Sequence, residues 1–182
     1  MANLARRSPH GGGTQKRIQQ LDRGPRTEYL AFKLAGEVYA APVALIREIL
    51  KPPLLTPVPR AARAVMGIVS VRGAVVTVID LRARLRLPEP AQTRKTRILL
   101  VNATGGELLG LFVDEVLQVY RLAESEIEHA AAALGGEVAP YISGIARPVH
   151  PMGPGPSTSK QAGPAADASV IILLDLRAVL ST

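Results

Sequence analysis

Cysteine is absent from the 182 residues, which excludes disulfides, thiolate metal sites and cysteine nucleophiles together. Tryptophan is absent as well, and the aromatics amount to two Phe and four Tyr. Any core must therefore be filled by aliphatic side chains, and stacking platforms for nucleobases are scarce. No stretch reaches the roughly 18 to 20 apolar residues that a membrane-spanning helix needs. The N-terminus carries charges and glycines where a signal peptide would hold an apolar segment, so the expected location is the cytoplasm, without direct membrane insertion.

Histidine is rare. His10 falls in the N-terminal leader, His150 in a Pro/Gly-rich stretch and His129 in an acidic segment expected to be an exposed helix, and none has a metal-ligand spacing such as HExxH. Gly11-Gly12-Gly13 lacks both a preceding strand and a following Gly-Lys-Ser/Thr element, so it reads as linker and not as a phosphate loop. Asp80, Asp114 and Asp175 each end an apolar run, the position of a turn or helix cap and not of an acid/base pair. The expectation is a protein without cofactor, metal or catalytic residues.

What the chain does contain is aliphatic and basic. With 47% hydrophobic residues it is long enough for one well-cored domain. The net charge of +7 is uneven: residues 1–26 hold six basic residues (Arg6, Arg7, Lys16, Arg17, Arg23, Arg26) against Asp22, leaving +2 for everything after them. Residues 1–26 are accordingly expected to be a disordered basic leader, and residues 27–182 the domain. A nucleic-acid-binding small barrel that uses the basic tail is the alternative reading. Its strands lack the basic and aromatic interleaving that such a face requires, so nucleic acid is disfavoured as a partner.

Period-two patterning begins at Glu28, where Leu30, Phe32 and Leu34 alternate with Ala31, Lys33 and Ala35. Gly36-Glu37 reads as a turn into a second strand, Val38 to Ala41. From Pro42, the spacing of Val43, Ile46, Ile49 and Leu50 predicts a short helix, stopped by Pro52-Pro53. Ala61 to Met66 predicts a helical turn ending at Gly67. Ile68 to Val71 and Ala74 to Ile79, joined at Arg72-Gly73, form the clearest hairpin, and Asp80 to Leu87 is left open between a short helix and an irregular exit. Further strands are expected at Arg97 to Val101, Leu108 to Val113, Val116 to Leu122, Tyr141 to Ala146 and Val170 to Leu174, with Glu124 to Ala133 partly helical. Residues 148–168, rich in proline and glycine, suit a flexible insertion. About nine short strands with brief helices argue for an all-β barrel or sandwich.

The ordered set Phe32-Lys33-Leu34, Val38 to Val43, Ile46-Arg47-Glu48-Ile49, Val58-Pro59, Met66 to Leu81, Gly110 to Val116, Tyr141 to Gly144 and Leu173 to Leu176 resembles CheW-type chemotaxis coupling domains in order and spacing over about residues 27–180. The resemblance implies two intertwined five-stranded SH3-like barrels around a shared core, with a few short helices. It also implies a non-enzymatic adaptor whose partners are the regulatory domain of a CheA-type histidine kinase and the cytoplasmic tip of a methyl-accepting chemoreceptor, with no small-molecule substrate. Glu48 and Arg72 match the family's glutamate and the arginine of its Asn-Leu-Arg-Gly signature, and are the pair expected at the partner-binding surface. Ser70, Val71 and Gly73 surround Arg72 in the same signature, Ser70 standing in place of its Asn, and Thr77 replaces the usual Pro. Gly67, Ile46 and Val76 complete the candidate partner-binding set; Ile46, Val71 and Val76 read equally as exposed contacts or as core.

Overall fold

The first two strands meet as their alternation requires. Arg26–Leu34 (β1) turns onto Glu37–Pro42 (β2) through Ala35-Gly36, whose φ values of 54° and 90° are the left-handed pair of a two-residue hairpin turn. The computed structural model describes residues 25–88, 93–103, 106–130, 140–147 and 170–181. The expected leader up to residue 24, the glycine run within it, His10, His150 and the expected insertion at about 148–168 lie outside the described residues.

After β2 the chain departs from the predicted helix. Only Val43–Leu45 forms a single 3-10 turn, and Ile46–Leu50 is a strand (β3) paired antiparallel with Arg97–Asn102 (β6). A bulge between Ile46 and Glu48 explains the misreading, because the extra residue breaks the two-residue period that announces a strand and leaves a spacing that mimics a helix. The helical turn expected at Ala61 to Met66 is likewise replaced: hydrogen-bonded turns lead directly into Val65–Val71 (β4), and Gly67 lies inside that strand. There φ is 151°, and a Cβ would stand 2.5 Å from the Thr56 carbonyl oxygen. Close approach of backbone, and not exit from a helix, is what glycine serves here.

β4 hairpins through Arg72-Gly73, with φ of 50° and 84°, onto Ala74–Asp80 (β5). Asp80 then caps the helix Leu81–Leu85 (α1), its carboxylate accepting from the N–H groups of Arg82 and Ala83. β6, Leu108–Val113 (β7) and Glu115–Ala123 (β8) follow as expected. Within the stretch expected to be partly helical, Glu124–Glu126 is a 3-10 turn, Ile127–His129 a strand (β9) and Ala130 helical, while residues 131–133 lie outside the described residues; His129, expected in a helix, is an exposed strand residue, 3.1 Å from Glu124. Ile142–Ala146 (β10), Ile171–Leu174 (β11) and the helix Leu176–Leu180 (α2) complete the described residues, with Asp175 capping α2 as Asp80 caps α1. Both caps belong to the same four-residue sequence, Asp80-Leu81-Arg82-Ala83 and Asp175-Leu176-Arg177-Ala178, and each ends a strand paired parallel to a neighbour: β5 with β7, β11 with β2.

Two sheets result, ordered β8-β1-β2-β11-β10-β9 and β3-β6-β7-β5-β4. The chain starts in the first, builds all of the second and returns to finish the first, so the units are interleaved. Both sheets curl. A flat six-stranded sheet is about 24 Å wide, yet its two edge strands, β8 and β9, are joined by the three residues Glu124–Glu126 alone, which reach about 10 Å. In the second sheet, Thr56 in the segment leaving β3 exchanges two backbone hydrogen bonds with Ile68 of the far edge strand β4, 2.9 and 2.8 Å long. The expected all-β fold is present, corrected in one respect: the first unit holds six strands, because the bend at Glu124–Glu126 divides one strand path into two. The hydrogen-bond ladders leave both barrels short of closure.

Packing explains the uninterrupted apolar runs. Along β1, Leu30, Phe32 and Leu34 enter one cluster while Ala31 enters another; along β6, Leu99 and Val101 face the first while Ile98 and Leu100 face a third. The first cluster is shared by both sheets, the second is the interior of the six-stranded unit and the third that of the five-stranded unit. Strands covered on both faces lose the polar half of their alternation.

Candidate docking surface

Among the described residues, no three His, Cys, Asp or Glu side chains gather as metal ligands would. The polar features are pairs. Arg72, at the tip of the β4–β5 hairpin, donates from Nη2 to Oε1 of Glu48 on β3 at 2.8 Å. The Arg72 side chain is 80% exposed and that of Glu48 30%. An ion pair so open to water contributes at most about 1 kcal/mol, while the left-handed φ of 50° at Arg72 costs a non-glycine residue about as much. The pair is therefore no net source of stability. It is a fixed, half-solvated carboxylate and guanidinium that a partner can desolvate and engage.

The flanking residues divide clearly. Ser70 is exposed and stands opposite Val75, an apolar side chain 71% exposed; Ile49, beside Glu48, is 43% exposed. Gly73 is open, with nothing within 4 Å of a built Cβ. Ile46 and Val71 are half-buried, packing against the shared core and the five-stranded core respectively. Two candidates are corrected. Val76 is wholly buried between Val78, Ile98, Leu100 and Phe112, because β5 directs it into the barrel, so it cannot touch a partner. Gly67 is buried under the Thr56 carbonyl and serves backbone packing. Of the apolar side chains that face solvent, Ile49 and Val75 flank the pair; they become legible in the sequence only with a strand assignment for β3 and the inward phase of Val76.

A second pair is not signalled by the sequence. Arg82 is 7% exposed and grips Asp114 with two donors, Nε to Oδ1 at 2.6 Å and Nη2 to Oδ2, while its Nη1 reaches the Pro88 carbonyl at 2.8 Å. Asp114 also accepts from the Ala35 N–H at 2.9 Å, so one carboxylate holds the β1–β2 turn, α1 and the β7–β8 junction together. The capping role expected of Asp114 is present in that bond to Ala35; the buried arginine is the addition. Elsewhere, burial and, secondarily, Glu124 push the Tyr29 hydroxyl upward, and burial followed by Glu37 and Tyr141 does the same at Tyr39, so both stay protonated at neutral pH.

The sequence profile of the CheW-like domain family matches residues 28–182, nearly all of the described fold. The chain belongs to the CheW-like domain family. Its relatives include the chemotaxis protein CheW of Bacillus subtilis, 40% identical over 101 residues, which cover 56% of this chain and 64% of that protein. CheW of Helicobacter pylori is 31% identical over 60% of this chain and 66% of its own length, and the protein FrzA of Myxococcus xanthus is 33% identical over 63% and 70%. The chain thus spans just under two thirds of the length of the Bacillus and Helicobacter proteins. The crystal structure of the scaffolding protein TtCheW from Thermoanaerobacter tengcongensis superposes with a TM-score of 0.69 at 24% identity, covering 86% of this chain and 94% of that one. The CheW-like fold, with its two β units, is therefore the frame that carries Glu48 and Arg72. No catalytic family is among these similarities, and no helix among the described residues is long and apolar enough to cross a membrane.

Proposed function

We propose that the chain is a non-enzymatic adaptor of bacterial chemosensory signalling, acting in the cytoplasm at receptor clusters. It couples the cytoplasmic tip of a methyl-accepting chemoreceptor to the regulatory domain of a CheA-type histidine kinase. The observation that carries this reading is the Glu48–Arg72 pair, held exposed on a stiff β frame beside the solvent-facing Ile49 and Val75, in a chain of the CheW-like family. A scaffold of this kind needs no turnover. It fixes two partners in one geometry, so a receptor state that makes better contacts with the scaffold biases the attached kinase. Ile46, Ser70, Val71 and Gly73 frame the pair, and the coupling unit, expected from residue 27, already begins at Arg26, which pairs with Ala123 in the sheet.

The test is Arg72→Glu in the full chain, which places two carboxylates against each other. Capture of kinase and receptor should fall about tenfold or more, while the thermal midpoint moves by less than about 2 °C. Unchanged capture of both partners would remove this surface from the interface.

A further inference from the structure

The chain passes from the five-stranded sheet to the six-stranded one between Val113, the last residue of β7, and Glu115, the first of β8. Asp114, at this crossing, donates its N–H to the Lys33 carbonyl of β1 at 3.1 Å, and its carboxylate takes Arg82 of α1 and the Ala35 N–H. Glu115 is a second attachment at the same place. It stands opposite Lys33 in the ladder between β1 and β8, with Oε2 4.0 Å from the Lys33 Nζ, and its other oxygen, Oε1, lies 3.0 Å from Nζ of Lys95. Lys95 belongs to the other unit, in the turn that leads into β6. That turn is itself fixed: the Thr93 N–H donates to Oγ1 of the buried Thr96 at 3.0 Å, the Lys95 N–H to Oγ1 of Thr93 at 3.2 Å, and the Thr96 N–H to the Thr93 carbonyl at 3.2 Å.

We propose that Glu115 is a positioning residue for the coupling function: oriented by Lys33 within its own sheet, it pairs with Lys95 of the other unit and sets the twist between the two units. This rests on the adaptor reading above. Asp114 and Glu115 fasten neighbouring points of the crossing to different elements, Asp114 to α1 and the β1–β2 turn, Glu115 to β1 and the turn before β6. Two fixed points resist a rotation that one would permit. The shared aliphatic core draws the units together without specifying a direction, and the other crossing, Val43–Leu45, lays Val43 and Leu45 against that core. Ion pairs between held groups supply the direction. Among the polar links between the units, Arg82 is buried and Arg84 bonds from Nε to the Val179 carbonyl of α2, whereas Glu115, 27% exposed, can be neutralised without stranding a buried charge. Because the Glu48–Arg72 surface lies on the five-stranded unit, a partner seated on the other unit meets it at an angle that this brace determines.

The test uses the full chain. It has no cysteine, so Asn102→Cys on β6 and His129→Cys on β9, both exposed positions, carry one spin label on each unit. Pulsed double electron–electron resonance then reads the distribution of distances between the units. Glu115→Lys, which sets its new ammonium group against those of Lys33 and Lys95, should about double the width of that distribution. Glu115→Gln should widen it while moving the thermal midpoint by less than about 2 °C. Inverting every charge of the cluster, with Lys33→Glu and Lys95→Glu added to Glu115→Lys, should restore the wild-type width. With a histidine kinase and a chemoreceptor captured from the native cell, the Glu115 variants should retain capture within about twofold, while receptor control of kinase activity falls about fivefold or more. Widths equal to wild type in both single variants, or a triple variant no narrower than Glu115→Lys, overturn the brace. Widened distributions with receptor control unchanged overturn its role in coupling. If the wild type captures neither partner, the adaptor reading falls and takes the coupling role with it, while the distance distributions still decide the brace.

Discussion

Arg82 and Asp114 join the two interleaved units through a two-point contact, with Arg82 on α1 after the five-stranded sheet and Asp114 where the chain crosses back to the six-stranded one. The same carboxylate fastens the β1–β2 turn through the Ala35 N–H. Removing either partner leaves a charge in a site built for a pair. Arg82→Ala and Asp114→Ala should each destabilise by about 3 kcal/mol, the low end for a buried pair, because the Asp114 side chain keeps 23% of its surface in water. Urea denaturation measures this, and the double variant should cost little more than either single change.

Gly67 gives a second prediction. Its Cβ position is taken by the Thr56 carbonyl, which is backbone and cannot rotate away, and its φ is one that side-chain-bearing residues avoid. Gly67→Ala should lower stability by about 2 to 3 kcal/mol. The amide protons of Thr56 and Ile68, which exchange hydrogen bonds across the gap between β3 and β4, should lose protection from hydrogen exchange.

Neighbouring valines on β5 should behave oppositely. Val76 is fully buried and Val75 largely exposed. Val76→Ala should cost about 2 kcal/mol through lost burial and the cavity left behind. Val75→Ser should change stability by less than about 0.5 kcal/mol yet weaken partner capture, because this exposed apolar side chain stands opposite Ser70 on the proposed docking surface. Chemical unfolding and co-precipitation on the same two variants separate these effects.

These outcomes also mark where the sequence was readable. The β1–β2 and β4–β5 hairpins are legible from alternation and their glycines, although the first turn falls at Ala35-Gly36, one residue before the expected Gly36-Glu37, and Asp80 and Asp175, ending apolar runs, are legible as turn or helix caps without the helices that follow them. β3 mimics a helix in sequence because the bulge at Arg47 shifts the period, and within the stretch expected to be partly helical only Ile127–His129 departs, because β10 offers it a ladder. Glu48 and Arg72 were picked out by resemblance and do meet, although no periodicity relates residues on opposite edges of one sheet. Arg82 could not be told from Arg84 and Arg86 in sequence, since only the return of the chain at Asp114 distinguishes it.

Tyr39 provides a pH dependence. Its raised pKa comes from burial first and from Glu37 and Tyr141 after that, so the folded state keeps the phenolic proton at a pH where the unfolded chain releases it. The associated stability is complete below the unfolded value of about 10 and is lost as pH rises through the folded pKa. Between about pH 9 and pH 11 the wild type should lose more stability than Tyr39→Phe. The difference in their absorbance titrations should place Tyr39 above the ordinary tyrosine value of 10.0.

The adaptor reading meets its most direct test in affinity capture of the full chain from its native cell, with co-purifying proteins identified by mass spectrometry. The predicted result is a histidine kinase together with a chemoreceptor, both depleted when Arg72 is changed to Glu. Recovery of neither protein, or of both in equal amounts with wild type and variant, would contradict the account.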